Sequence, residues 1–315
     1  MRELASLVAD YGGPCWITST GGVGCVWADV DRTGTESDVK ALYGSPCGFS
    51  ICAQKIDGSF LCWDDFAAIT GPDPGPTTLT APSGLAIQSV VFGEHFKCTL
   101  DTAGAVACSG SYEKITGSAV FGVAEDGSIT ALAGEKVKRL AAGTSHACAL
   151  LEEGGATCWG TNGQGELGAI DEAPAMVPGI PDDLDQIGAG LTFACARSTD
   201  DEVFCWGSMA PGSSPTAPER VVGLPPVVDM GVAEHNVCAR DYDNAVWGWG
   251  DDEGGQSGVE PPVMSVPPTK LQGIVGEVTE LAPGSINYHA RTADGNVWSW
   301  GITGDQNEFP HVVGH

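Results

Sequence analysis

Short runs in which apolar and polar residues alternate recur along the whole chain, separated by turns rich in glycine and acidic residues. In the stretch at residues 147–160, "ACALLEEGGATCWG", the alternation in "ACAL" and "ATCW" lies on both sides of the turn residues "EEGG". Alternation of this kind predicts half-buried strands, and the turn between them predicts an antiparallel hairpin. No segment of any length has a helical pattern.

The same hairpin pattern occurs seven times, with copies that start at residues 15, 52, 98, 148, 195, 238 and 289. A three-residue hairpin loop with a bulge requires one residue with positive φ. Glycine, asparagine and aspartate adopt that conformation most readily. One of these residues stands six positions after the start of every copy: Gly21, Gly58, Gly104, Gly154, Asp201, Asn244 and Gly295.

Cysteines mark five of the seven copies at a constant separation of ten residues: Cys15/Cys25, Cys52/Cys62, Cys98/Cys108, Cys148/Cys158 and Cys195/Cys205. In the last two copies, Cys238 stands ten residues before Gly248, and His289 stands ten residues before Ser299. A tryptophan follows closely in six of the copies: Trp27, Trp63, Trp159, Trp206, Trp249 and Trp300.

The cysteine spacing distinguishes between a metal site, a redox site and structural disulfides. Zinc ligands usually lie two to four residues apart, and thioredoxin-like redox sites have two intervening residues, so nine intervening residues across a turn fit neither. Cysteines that face each other across an antiparallel pair can reach disulfide distance. We therefore predict five disulfides, each contributing up to about 2.7 kcal/mol by closing a loop of about ten residues. The predicted free thiols are Cys47 and Cys238, and the predicted compartment is oxidising.

The spacing of the copies, 37 to 51 residues, predicts the overall architecture. Strands and tight turns at this period are typical of propeller blades rather than of helical solenoids. The chain ends in an outer run, "EFPHVVGH", while the first copy has no outer run before it. The prediction is an all-β, seven-bladed β-propeller of four-stranded antiparallel blades, with the C-terminal strand completing the N-terminal blade. One domain spans residues 1–315, with hairpins near 15–25, 52–62, 98–108, 148–158, 195–205, 238–248 and 289–299.

Composition narrows the possible partners. The chain has 315 residues, 45 glycines, 20 prolines and a formal net charge of -27. This charge repels phosphate backbones, so it disfavours nucleic acid and favours a partner with a cationic surface. The acidic clusters "DDLD", "DYD" and "DDE" are predicted to lie in solvated loops, with calcium binding as the alternative, although none has EF-hand spacing. We expect no metal, no other cofactor and no membrane span. The N-terminus "MRELASLVADYGG" lacks an apolar signal region, so a signal or anchor segment is expected to have been lost upstream.

One unit resembles a known repeat. The sequence "AAGTSHACALLEEGGATCWGTNGQGELGA" strongly resembles the repeat of the regulator of chromosome condensation family, and a weaker likeness covers nearly the full chain. The family implies a seven-bladed propeller. The cysteine pairs are similar to those of its extracellular bacterial branch, which implies a secreted, periplasmic or surface-anchored protein. A shared fold does not by itself imply a shared function.

The residues favour a non-catalytic protein. No Ser-His-Asp order, paired-carboxylate motif or phosphate-binding loop can be singled out, and His146 occupies a repeat position where other copies have phenylalanine or asparagine. We predict a monomeric extracytoplasmic scaffold that binds another macromolecule, a protein first, through loops on its faces. The alternatives are a carbohydrate-binding propeller with exposed aromatic residues and a lyase-like enzyme with a polar cluster of perturbed ionisation. The tryptophans are predicted to lie in the core between blades.

Segments that break the repeat are the predicted partner contacts. They are Ser111 to Lys136, which contains the predicted extra hairpin "AVFGVAEDGSITAL", the proline-rich "APGSSPTAPE", and "DDEGGQSGVEPPVMSVPP". The candidate partner-binding residues within them are Tyr112, Glu113, Glu125, Asp126, Asp251, Asp252 and Glu253.

Overall fold

The computed structural model describes most of the chain as β-structure. The described residues are 7–10, 13–18, 21–25, 38–44, 50–64, 77–94, 96–110, 127–169, 175–209, 217–252, 255, 266–284, 287–303 and 306–314. They form seven antiparallel sheets, in each of which sequential strands are neighbours. A 3-10 helix, Thr130–Leu132, lies between the third and fourth sheets.

Two sheets have three described strands. The first contains β1 (Leu7–Asp10), β2 (Gly13–Ile17) and β3 (Val23–Cys25), and the third contains β8 (Ile87–Phe92), β9 (Phe96–Asp101) and β10 (Val106–Gly110).

The other five sheets have four strands. The second contains β4 (Val39–Gly44), β5 (Ser50–Lys55), β6 (Phe60–Asp64) and β7 (Thr77–Leu79). The fourth contains β11 (Val137–Ala142), β12 (His146–Leu151), β13 (Ala156–Gly160) and β14 (Ala175–Met176), and the fifth contains β15 (Leu184–Ala189), β16 (Phe193–Ser198), β17 (Val203–Gly207) and β18 (Glu219–Arg220). The sixth contains β19 (Val227–Val232), β20 (Asn236–Asp241), β21 (Val246–Gly250) and β22 (Val266–Lys270), and the seventh contains β23 (Val278–Pro283), β24 (Asn287–Thr292), β25 (Val297–Thr303) and β26 (Gln306–Gly314).

The turns between second and third strands have the backbone conformation that the sequence predicts. All seven residues singled out at the turn position have positive φ, from 61° at Asn244 to 108° at Gly154. The turn carboxylates stabilise this conformation. In the sixth sheet, Asp241 Oδ1 accepts hydrogen bonds from the amides of Asp243 and Ala245, both at 2.9 Å. This prediction is therefore confirmed.

The cysteine pairs face each other across these hairpins. Four disulfides join the second and third strands of their sheets, with Cα–Cα separations of 4.0 to 4.1 Å: Cys52–Cys62, Cys98–Cys108, Cys148–Cys158 and Cys195–Cys205. Cys15 is also disulfide-bonded, and its Cα is in register with that of Cys25. Cys238 is a buried free cysteine opposite Gly248, and Cys47 lies outside the described residues.

Consecutive sheets pack side by side into a ring. Contacts between the first strands run from each sheet to the next, and β1 of the first sheet contacts β23 of the seventh. Leu7 packs with Ala282 and Val297, and the Leu7 amide donates a 3.1 Å hydrogen bond to Glu280 Oε1. The ring is therefore closed by packing between β1 and β23.

The predicted seven four-stranded blades with a shared closing strand are wrong. Of the described sheets, only five have four strands, and the C-terminal strand β26 pairs with β25 instead of with the N-terminal sheet. Only two residues separate the end of β25 from the start of β26, and strands joined by so short a connection pair as a hairpin.

Tryptophans fill the space between neighbouring sheets. Trp159, Trp206 and Trp300 are fully buried. Trp206 of the fifth sheet packs against Leu150 and Leu167 of the fourth. The prediction that these tryptophans are core residues is confirmed. Because they are buried, a sugar cannot stack on them.

Candidate functional site

The antiparallel strand order divides the loops of the ring between two faces. Turns between second and third strands and connections to the next sheet lie together on one side, which we call the turn face. The Ile56 amide in such a turn donates to the Asp38 carbonyl before β4, and the Thr199 amide donates to the Asp183 carbonyl before β15, both at 2.8 Å. The remaining loops, between first and second strands and between third and fourth strands, form the opposite face.

The turn face carries most of the exposed carboxylates of the described residues. Those in the turns are Asp57, Glu152, Glu153, Asp200, Asp243 and Asp294. Those in the connections are Asp38, Glu135, Asp182, Asp183 and Glu277. In the described turns and connections of this face, Lys136 is the one basic residue.

Local hydrogen bonds favour the ionised form of two of these carboxylates. The hydroxyl and amide of Ser59 both bind Asp57 Oδ1, at 2.6 and 2.9 Å, and lower the pKa of Asp57. The Thr292 hydroxyl, which donates to Asp294 Oδ1 at 2.6 Å, lowers the pKa of Asp294. These two carboxylates therefore stay ionised to a lower pH than an unbonded aspartate.

An arginine network holds the turns of the fifth and sixth sheets together. The Arg197 guanidinium makes a bidentate ion pair with Asp185 and lies 3.5 Å from Asp201 Oδ1. Arg197 also donates to the carbonyl of Val227 on the first strand of the next sheet, at 2.7 Å. Asp201 Oδ2 in turn accepts a 2.7 Å hydrogen bond from the Tyr242 hydroxyl. Arg197 therefore pairs with Asp185 and Asp201 within the scaffold. Its charge does not neutralise the exposed carboxylates of the neighbouring turns.

Large apolar side chains are also exposed on the turn face. Among the described residues, seven are exposed, and five of them lie in its turns or connections: Ile56, Leu85, Val222, Tyr242 and Val275. The other two, Met176 and Val312, lie on the outermost strands of their sheets. Contiguous apolar patches mark interaction sites, whereas single exposed apolar residues are ordinary.

The opposite face differs in what it exposes: its described loops expose one carboxylate, Glu94, and none of the seven apolar side chains. Like the loops of the turn face, they are hydrogen-bonded to one another. The Glu94 amide donates to the Thr144 carbonyl of the next sheet, and the Leu191 amide donates to the Glu234 carbonyl. The "TNGQGELG" loop is part of this packing. Asn162 Oδ1 accepts from the Leu167 amide at 3.0 Å, and Trp206 Nε1 donates to the Glu166 carbonyl at 2.9 Å. This motif therefore joins the fourth and fifth sheets structurally.

Two histidines are buried, and neither is placed as an accessible general base. Burial lowers the pKa of His146 to about 4, against an opposing effect of the Phe193 backbone. Burial, with the nearby His311 adding repulsion, lowers the pKa of His289 to about 3. His289 Nε2 lies 3.1 Å from Asn287 Oδ1. Both imidazoles are neutral near pH 7 and belong to the core.

The structure tests only part of the predicted contact set. Tyr112, Glu113, Glu125, Asp126 and Glu253 lie outside the described residues.

The two contact candidates that the structure does describe are not exposed. Asp251 is half-buried and Asp252 is fully buried, at 0% exposure. The expectation of an exposed acidic loop is wrong for Asp252, whose side chain is buried and whose backbone carbonyl accepts from the Gly255 amide at 3.0 Å.

The predicted extra hairpin has a structural role in its described half. Ser128 forms a bridge with Ala107 of β10, where four-stranded sheets have their outer strand. Ile129 and Leu132 are buried against the fourth sheet. The described half of the segment therefore covers the edge of β10, the position that a fourth strand occupies in the four-stranded sheets. The departure from the repeat sequence reflects this difference.

The sequence contains a feature that indicates the acidic character of the turn face. Acidic residues occupy the turn positions within the regular repeat, as in Glu152, Asp200, Asp243 and Asp294. These residues lie in the regular part of the repeat, where the pattern predicts scaffold, so the irregular segments alone do not include them.

The part of the chain that the structure describes has no candidate metal site and no candidate membrane-spanning helix. No group of three or more His, Cys, Asp or Glu residues there could hold a metal ion. None of the described helices is long and apolar enough to cross a membrane.

Comparison with known proteins supports the propeller fold. The family model described as the regulator of chromosome condensation (RCC1) repeat matches residues 137–166 and 185–210. No curated protein sequence matches the chain.

Solved structures extend the similarity over the whole chain. Prp20p from Saccharomyces cerevisiae, described with its binding properties to Gsp1p and histones, has a TM-score of 0.75 at 17% identity, covering 100% of this chain and 91% of its own. Human WBSCR16 has a TM-score of 0.70 at 15% identity, covering 90% and 85%. The CRINKLY WD40 ectodomain of the Arabidopsis thaliana receptor kinase ACR4 has a TM-score of 0.63 at 17% identity, covering 98% of each chain. At these identities, the likeness shows the fold alone.

Proposed function

We propose that this protein is a non-catalytic, extracytoplasmic scaffold that binds another protein through the loops of one face. Two observations together support the proposal. Disulfides cross-link the second and third strands of four sheets, and the turns of one face expose apolar and acidic side chains. A rigid scaffold that presents loops in a fixed arrangement is suited to protein recognition.

The disulfides support the extracytoplasmic part of the proposal. Four pairs are formed at one equivalent position, and such bonds persist in oxidising compartments. The structural likeness to a receptor ectodomain agrees with this assignment. The binding of Gsp1p and histones described for Prp20p is a precedent for protein recognition by the same fold.

Affinity capture with chemical cross-linking under non-reducing conditions tests the proposal. The oxidised protein should capture a saturable protein partner, and bait reduced and alkylated before use should not. Capture that soluble glycan displaces, with no protein cross-linked, would replace the proposal by carbohydrate binding. As a second readout, the denatured and unreduced protein should titrate two thiols, Cys47 and Cys238. Ten or more free thiols would contradict the oxidising compartment.

A further inference from the structure

Three exposed apolar side chains of the turn face surround the sixth sheet. Val222 lies in the connection before β19, Tyr242 in the turn between β20 and β21, and Val275 in the connection after β22. Their exposed fractions are 81%, 65% and 71%. We call these three residues the sixth-sheet patch.

Hydrogen bonds to the scaffold hold Tyr242, the aromatic member of the patch, in place. Tyr242 donates its hydroxyl to Asp201 of the neighbouring turn at 2.7 Å, and Asp201 lies beside Arg197. Arg240 Nη1 donates to Asn244 Oδ1 at 3.1 Å within the turn that carries Tyr242. An ordered apolar surface loses little conformational entropy when a partner binds.

A groove lies between the turn that follows Tyr242 and the connection that contains Val275. Asn244, Ala245, Lys270, Gln272, Ile274 and Gly276 are among the residues that line it, and its volume is about 170 Å³. Pockets for small molecules are larger, about 300 to 1,000 Å³. A groove of this size fits one side chain of a protein partner, which is how anchor residues bind at interfaces.

The exposed carboxylates around the patch favour a partner with positive charge. Asp200, Asp243, Glu277 and Asp294 are exposed in the turns and connections of the fifth to seventh sheets. The cations at this edge are fewer. Lys270 lines the groove, and Arg220 is 2.9 Å from Glu202, an exposed pair of small energetic value.

This charge argues against three other occupants. A second copy of the chain would bring two acidic faces together, with a net charge of -27 on each molecule. Nucleic acid and anionic lipid carry the same sign of charge and would be repelled as well.

We propose that the sixth-sheet patch docks a cationic protein segment that carries apolar side chains, one of which enters the groove. This inference rests on the proposed function and adds to it the face and the chemistry of the partner. The apolar contacts supply affinity, and the surrounding carboxylates accelerate encounter and select lysine- or arginine-rich sequences.

Fluorescence anisotropy with three synthetic twelve-residue peptides tests the proposal. The peptides alternate lysine with leucine, lysine with serine, and glutamate with leucine. We expect the Lys/Leu peptide to bind at least about tenfold more tightly than either of the others, and its affinity to fall as salt screens the carboxylates. Equal binding of Lys/Leu and Lys/Ser, or binding of Glu/Leu, would overturn the proposal.

Variants locate the binding site. The triple variant V222S/Y242S/V275S should weaken Lys/Leu binding at least about tenfold, whereas the matched control M176S/V312S removes two exposed apolar side chains from outer strands and should bind like the wild type. The valine and methionine side chains are exposed, so their substitution should change melting temperatures little. Y242S also removes the Tyr242–Asp201 hydrogen bond, so Y242F, which removes that bond but keeps the ring, is its control and should bind like the wild type. The variant D243K/E277K provides a second test that leaves the apolar patch intact and should reduce affinity and its salt dependence. Wild-type binding by the triple variant, or by the charge variant, would contradict the site.

Two further outcomes separate this inference from the proposed function. If cross-linked partner capture survives in the triple variant, the proposed function stands and the sixth-sheet patch is wrong. If sedimentation shows a wild-type dimer that the triple variant dissociates, the occupant is a second copy of the chain, and the cationic partner is wrong.

Discussion

The two faces of the ring derive from the same repeat, yet they use their polar residues in different ways. On the opposite face, the carboxylates of Asp252 and Glu166 are buried and the Glu166 carbonyl accepts from the buried Trp206, so that Glu94 is the exposed carboxylate of its described loops. On the turn face, carboxylates such as Asp200 and Asp243 stay exposed beside apolar side chains such as Val222. Under the proposed function, stability and recognition are divided between the faces. Substitutions on one face should affect folding, and those on the other should affect binding.

The largest effect is expected at Asp252. Replacing Asp252 with lysine places a cation in a fully buried position, and we expect a loss of about 3 to 5 kcal/mol in the free energy of unfolding. The matched charge reversal Asp200→Lys on the turn face should cost less than about 0.5 kcal/mol, because Asp200 is exposed. Chemical denaturation of both variants measures the difference. Equal stability of the two variants would contradict the claim that substitutions on the opposite face affect folding more than those on the turn face.

A new disulfide beneath the two faces should stabilise the scaffold without changing recognition. Gly248 is in register with the free Cys238, as the second cysteine of each pair is with the first. Gly248→Cys should therefore oxidise and raise the free energy of unfolding by up to about 2.7 kcal/mol. Mass spectrometry of the non-reduced digest identifies the bond, and Gly248→Ser is the control. Binding of the Lys/Leu peptide should be the same in both, and a loss of binding in the oxidised variant would show that recognition depends on motion in the sixth sheet.

Acidification should destabilise the protein through His146. Burial lowers its folded pKa to about 4, below the unfolded value of about 6.5, so the unfolded state binds the proton first. Stability is fully present above pH 6.5 and is lost as the pH falls toward 4, by about 2 kcal/mol at pH 5. Phe96 and Phe193 occupy the equivalent position in other sheets, so His146→Phe is a conservative test.

Denaturation curves at pH 7.5 and pH 5.0 provide the measurement. The variant His146→Phe should lose about 2 kcal/mol less than the wild type between these two values. A pH dependence identical to that of the wild type would mean that His146 does not titrate with unfolding.

The repeat predicted local structure well and long-range structure less well. The seven turn residues and the cross-strand cysteines followed from spacing, because both depend on contacts within one hairpin. Ring closure depends on contacts between the chain ends. The sequence shows that β26 is an outer strand, but its pairing with β25 is decided by loop length and by the packing of Leu7 against β23.

The candidate site was only partly predictable for a related reason. Charge composition indicated a cationic partner, but the face could not be located without knowing which loops are buried. Asp251–Asp252 and Asp182–Asp183 are both pairs of consecutive aspartates. The first pair is half-buried and buried, whereas the second pair is exposed. Burial of this kind depends on hydrogen bonds between neighbouring loops, such as that between the Asp251 amide and the His235 carbonyl at 3.0 Å.

Hydrogen–deuterium exchange of the oxidised protein, with and without the Lys/Leu peptide, tests most directly whether recognition belongs to the turn face. The account predicts slower exchange on binding in residues 199–202, 221–226, 242–245 and 271–277, with no change in residues 143–145, 190–192 and 233–235 of the opposite face. Protection of the opposite-face loops, with unchanged exchange in the turns around Tyr242, would contradict it.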